Sequence, residues 1–144
     1  MGLIYRGEYA NPQMVELELE ALDARLQALE RVSAAATAPD ATAVTIGRTL
    51  TAADSGSLFT NQGAAGAITI VLSSAIIGDT VRFYVATAQT LTLTASAGDT
   101  MRIADNTTAE GGSISSNVVG SLVWFQAVND REWVAVQSVG SWTF

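Results

Sequence analysis

The stretch from Met14 to Ala36 limits what this chain can fold into more than any other part of it. Val15, Leu19, Leu22, Leu26 and Leu29 recur there in steps that alternate between four and three residues. In heptad terms Val15, Leu22 and Leu29 take d positions, and Leu19 and Leu26 take a positions. A narrow a/d seam of this kind marks helices that wrap around copies of themselves. Glu, Leu, Ala, Arg and Gln fill the remaining positions, and all are good helix formers. The next a and d positions are Ser33 and Ala36, so the seam fades there. A lone helix with so short a seam is marginal in water and requires partners.

The charges beside the seam bear on the number of partners. Arg25 falls at g and Glu30 at the following e. In a parallel assembly, g of one chain lies near e of the next, so Arg25 can fork onto a neighbour's Glu30. Arg25-Leu26-Gln27-Ala28-Leu29-Glu30 resembles the trimerisation pattern of short three-stranded coiled coils: Arg, apolar, two free positions, apolar, Glu. The expectation is a parallel homotrimer held by Val15, Leu19, Leu22, Arg25, Leu26, Leu29 and Glu30. The alternative is one amphipathic helix folded against its own domain. Glu16, Glu18, Glu20 and Asp23 make the outer face acidic, which reads as a solvated face.

Residues 1–11 read as an extended arm. Leu3, Ile4, Tyr5, Arg6 and Tyr9 crowd large apolar, aromatic and cationic side chains into a segment too short to form a core. Such an arm docks onto another surface, or else is a frayed terminus or folds back on its own domain. Asn11-Pro12 opens the helix, since Asn caps and Pro suits the first turn. Ser33 to Ala43 is small and polar and contains Pro39, so it reads as the helix end followed by a linker.

From Val44 onward the pattern changes to strands and turns. Short apolar or β-branched runs recur at 44–46, 58–61, 67–72, 80–86, 90–94, 100–104, 113–115, 120–128, 132–138 and 141–144, separated by Gly- and Asp-rich clusters. Many short strands at near-regular spacing predict a sandwich or barrel. Val128-Asn129-Asp130-Arg131 reads as a tight hairpin. Thr90 to Thr94 alternates, giving one dry and one wet face, whereas Leu122-Val123-Trp124-Phe125 is apolar on both faces, as in a central strand or one at a subunit interface. Gly78-Asp79-Thr80 and Gly98-Asp99-Thr100 repeat, either as a duplicated unit or as one turn chemistry used twice. A calcium site on Asp79 and Asp99 would need several more converging oxygens. Trp124, Trp133 and Trp142 read as core or subunit contacts, or alternatively as a platform on which sugars stack.

Composition removes several classes of function. Formal net charge is −7 and the basic residues are scattered arginines, so no concentrated positive charge is available for phosphate and nucleic acid is not expected as a partner. Cysteine and histidine are both lacking, which removes Ser-His-Asp and Cys-His catalysis and most zinc chemistry. No cofactor or metal is expected. The longest apolar stretch, Ala67 to Ile77, is interrupted by Thr69, Ser73 and Ser74, so no membrane helix is expected. The N-terminus shows no secretory pattern. Paired carboxylates suffice for glycoside hydrolysis, but Asp54, Asp79, Asp99, Asp105, Glu110, Asp130 and Glu132 sit mostly in turn contexts, and no enzyme is expected.

From Leu50 onward the chain resembles a β-domain common in tailed-bacteriophage virion proteins. The matching pieces are Leu50 to Gly56, Thr60-Asn61, Ala97 to Thr100, Gly111 to Ser116, Val119-Gly120-Ser121, Glu132 to Ala135 and Gly140-Ser141-Trp142-Thr143. The resemblance covers about two thirds of the chain. It implies a head fibre, capsid decoration (cement) protein or tail fibre, usually a homotrimer on the virion surface. Tail fibres are typically far longer, so the head-fibre or decoration class fits better. On this view Leu3, Ile4, Tyr5, Arg6 and Tyr9 dock onto the major capsid protein, with a receptor- or glycan-binding fibre tip as the alternative. The expected architecture is mainly β with an N-terminal α-helix. It comprises an arm at 1–11, a trimeric coiled-coil helix at 12–37, a linker at 38–43 and an antiparallel β-sandwich or barrel-like domain at 44–144.

Overall fold

The computed structural model describes residues 20–25 and 41–144. The chain divides into two units between Ala38 and Pro39. Of the first unit, residues 20–25 are helical, as the heptad pattern predicts.

The second unit is built from strands β1 (Ala41–Ala43), β2 (Arg48–Thr49), β3 (Leu58–Thr60), β4 (Ile68–Val71), β5 (Thr80–Tyr84), β6 (Leu91–Thr94), β7 (Thr100–Ile103), β8 (Asn106–Thr107), β9 (Ser113–Ser116), β10 (Leu122–Asn129) and β11 (Glu132–Val139). They form a seven-stranded sheet, β1-β3-β5-β10-β11-β7-β8, and a four-stranded sheet, β2-β4-β6-β9. The sequence places residues 41–43 in the linker, but they pair with β3 as the edge strand of the larger sheet.

The expectation of an antiparallel sandwich is corrected. β1 with β3, β3 with β5, β2 with β4, β4 with β6, and β7 with β11 all pair in parallel. The reason lies in how the chain winds. From β1 to β7 each successive strand belongs to the opposite sheet. A strand of the facing sheet thus serves as the crossover that parallel pairing requires. The Gly-containing turns are corners between sheets, not hairpins within one. Antiparallel pairs arise at the β10–β11 and β7–β8 hairpins, and where β10 meets β5 and β9 meets β6.

The corners share one chemistry. Ser57 N donates to Asp54 O, Asp79 N to Ile76 O, Asp99 N to Ser96 O and Ser121 N to Val118 O. The third residue of each turn is a glycine at positive φ: Gly56, Gly78, Gly98 and Gly120. That is the signature of a type II turn, in which a side chain at the third position would be strained. These turns lead into β3, β5, β7 and β10. The Gly-Asp-Thr repeat seen in the sequence is therefore the second and third of a series.

Each turn of the winding stacks like on like. Phe59 lies opposite Phe83, Ile68 opposite Leu91 and Ile70 opposite Leu93. Phe59 and Phe83 stack at a 6.0 Å centroid separation, and Phe125 meets Phe83 edge-on at 6.5 Å. Such pairs add about 0.5–1.5 kcal/mol each beyond the area they bury. With Val81, Val123, Met101, Ile114 and Trp133 they belong to one continuous buried cluster contributed by both sheets.

Candidate functional site

The expected docking residues Leu3, Ile4, Tyr5, Arg6 and Tyr9 lie outside the described residues, as do Val15, Leu19, Leu26, Leu29 and Glu30 of the seam. Leu22 and Arg25 lie within them. Residues 20–25 are all exposed on the single chain, and Leu22 retains 59% of its accessible surface.

In the β-domain, the polar side chains of Asn61, Asp99 and Asp54 serve as internal ties. Asn61 is fully buried, and its amide donates to Thr87 O and Gln89 O, both at 2.9 Å. Its Oδ1 accepts from Ala86 N at 2.7 Å and Thr87 N at 2.9 Å. One side chain thereby fixes the β5–β6 loop. Asp99 Oδ2 accepts from Ala75 N at 2.8 Å, joining the β4–β5 and β6–β7 connections. Asp54 accepts from Thr51 N at 2.8 Å and pairs with Arg48 at 2.7 Å.

The closing Gly140-Ser141-Trp142-Thr143 is a latch between the sheets. Gly140 has φ +81, and a Cβ there would lie 2.8 Å from Ser121 Cα. Ser141 N donates to Ser121 Oγ and Trp142 Nε1 to Leu122 O, both at 3.3 Å. Thr143 and Ser115 then exchange backbone bonds of 2.8 Å, carrying the chain from β11 of the larger sheet to β9 of the smaller.

A small cavity of about 10 Å³ lies beside Leu50, Asp54, Ser73, Asp79 and Trp133. Asp79 Oδ2 and Trp133 Nε1, both buried, have no protein partner there. The cavity holds space for about one water molecule, so it is no cleft for a substrate. Among the described residues no three His, Cys, Asp or Glu side chains are grouped to hold a metal. Among them, too, no helix is long and apolar enough to cross a membrane.

A wider, open hollow of about 250 Å³ is lined by residues 43–48. The two outer sheet faces differ from one another. On the smaller sheet, Thr92 lies opposite both Thr69 and Ser115, and Thr94 opposite Ser113. That face is a carpet of hydroxyls, with Thr94 Oγ1 2.8 Å from Ser113 Oγ. On the larger sheet, Tyr84, Leu122 and Val139 form one row, and Arg82, Trp124 and Gln137 the next. The Arg82 guanidinium stands 5.5 Å above the Trp124 ring. Farther along the sheet, Arg102 pairs with Glu132 at 3.1 Å. Trp124 is 37% exposed, and Val136 and Val139 are more than half exposed. The sequence marks Trp124 as core, contact or platform, and it stands on this outer face. Trp133 is the core tryptophan. Val136 sits at a bulge in β11 opposite Trp124 and Phe125, a register shift that leaves no mark in the residue pattern. No protein-family model matches the chain, and no curated protein matches it.

Proposed function

We propose that this chain is a structural virion protein, a homotrimeric capsid decoration or head-fibre protein that docks on the phage head through its N-terminal arm. The observation that carries the proposal is the pairing of a trimer-type leucine and Arg–Glu seam with a β-domain whose polar motif residues are committed to internal ties. Asn61, Asp99 and Asp54 hold loops, and the cavity beside Asp79 admits about one water. A domain organised in this way supplies rigid surface. Three chains joined by Leu19, Leu22, Leu26 and Leu29 would present three arms at once. Simultaneous engagement raises avidity well beyond that of one arm, and it suits a three-fold position on a shell.

Cosedimentation of the chain with phage heads tests this reading. Binding is expected, and removal of residues 1–10 is expected to abolish it. Binding that survives the deletion refutes docking by the arm.

A second reading, a receptor- or glycan-binding fibre tip, is favoured by the exposed Trp124 with Arg82 over its ring. A glycan array probed with the whole protein separates the two, since silence across all glycans counts against the fibre tip.

A further inference from the structure

We propose that the outer face of the seven-stranded sheet, centred on β10 and β11, is where the β-domains of neighbouring copies pack against one another. The inference rests on the trimeric reading above and names the surface that reading leaves open.

The two outer faces argue for it by contrast. Both belong to one domain and both meet solvent on the single chain, yet one carries Thr and Ser with a single valine, Val71, and the other carries Tyr84, Leu122, Trp124, Val134 and Val139 interleaved with Arg82, Gln126 and Gln137. A face that mixes exposed aliphatic and aromatic side chains with arginine in this way has the composition of an interaction surface. The aromatic and arginine content, with Arg82 stacked on Trp124, matches the core of protein interfaces.

A second copy is favoured as occupant by where the chain enters the domain. The segment after the seam leads directly into β1, the edge strand of this same sheet. Eleven residues separate Leu29, the last leucine of the seam, from Ala41. Their fully extended reach is at most about 40 Å. Copies joined at the seam therefore hold their β-domains at an effective concentration on the order of millimolar. At that concentration even a weak apolar contact is populated. The hydroxyl face has water as an adequate partner and needs no cover.

The chain has no cysteine, so single thiols can report the cover directly. Val136→Cys and Val139→Cys place a thiol on the proposed contact, and Thr69→Cys places one on the hydroxyl face, where Thr69 is exposed. Each full-length variant is labelled with a maleimide while its mass is followed by sedimentation. Val136→Cys or Val139→Cys is expected to react at least about tenfold more slowly than Thr69→Cys, because a covered side chain reacts only when its contact opens. Adding Leu22→Asp and Leu26→Asp is expected to return the mass to 15.0 kDa and to erase the difference in rate. Equal rates at trimeric mass overturn the proposed contact and leave the trimer standing. Protection that persists at 15.0 kDa shows that a segment of the same chain covers the face, and also overturns it. A parent protein that is itself 15.0 kDa removes the trimeric reading and this contact together.

Discussion

Asn61 makes four hydrogen bonds to the backbone from a fully buried position. Its replacement by Ala strands the Ala86 and Thr87 N–H groups and the Gln89 carbonyl, while Thr87 O keeps its bond from Gln89 N. Each orphaned buried group costs about 1–3 kcal/mol, so Asn61→Ala is expected to lower stability by about 3 kcal/mol or more in urea unfolding, with the folded far-UV spectrum kept. Asn61→Asp is expected to be no better, because a carboxylate cannot donate to Thr87 O and Gln89 O. Ala104 is the opposite case. It sits at φ +52 in the two-residue turn between β7 and β8, where Ile103 pairs with Asn106. Glycine is the usual residue at such a position. Ala104→Gly relieves a left-handed alanine worth about 1 kcal/mol, against a smaller loss of chain entropy. Its melting temperature is expected to rise slightly, and a fall would show that the turn is not strained.

The elements show why turn residues recur at about twenty-residue spacing. Each type II corner sends the chain from one sheet toward the other, and each return stacks a strand on its predecessor. The like-on-like rows follow, with Ile68-Thr69-Ile70 over Leu91-Thr92-Leu93 and Phe59 over Phe83. Phe83→Ala removes the middle ring of the Phe59–Phe83–Phe125 group and is expected to cost about 3–5 kcal/mol. The C-terminal latch is a separate element with its own weakness. Gly140→Ala drives a methyl into Ser121 and opposes a positive φ. It is expected to speed hydrogen exchange at the Ser115 and Thr143 amides, while the amides of β5 and β10 keep their protection. Uniform loss of protection would mean that the latch and the core open as one unit. Among the described residues of the β-domain, the ion pairs Arg48–Asp54 and Arg102–Glu132 are partly exposed and contribute at most about 1 kcal/mol each. High salt is accordingly expected to leave the unfolding midpoint of the β-domain nearly unchanged.

For the molecule as a whole, the decisive quantity is mass in solution. Leu22 is 59% exposed on the single chain, which is costly for a leucine on a helix unless another surface covers it. The unsubstituted protein is expected to sediment as three copies of the 15.0 kDa chain, and Leu22→Asp to shift it toward one. A parent protein that stays at 15.0 kDa at high concentration sinks both the stalk and the avidity that docking requires.

Several features were legible in the residues alone. The two-fold alternation at Leu91 to Thr94, the β10–β11 hairpin around Asn129 to Arg131 and the repeated Gly-Asp-Thr turns all appear in the structure where the pattern places them. They are local, because period and turn chemistry depend on neighbours in sequence. The direction of pairing was not legible. A corner turn and a hairpin turn draw on the same Gly, Asp and Ser, and nothing at Gly78 or Gly98 says to which sheet the next strand returns. The short β2 and β8 carry too few residues for a period. The apolar outer face of the larger sheet was hidden for a related reason. Trp124 and Phe125 are adjacent aromatics of similar character, yet Phe125 lies in the core and Trp124 points outward. Which of them faced inward depended on the register of β10 against β5 and on the bulge in β11, contacts made across the sheet by residues distant along the chain.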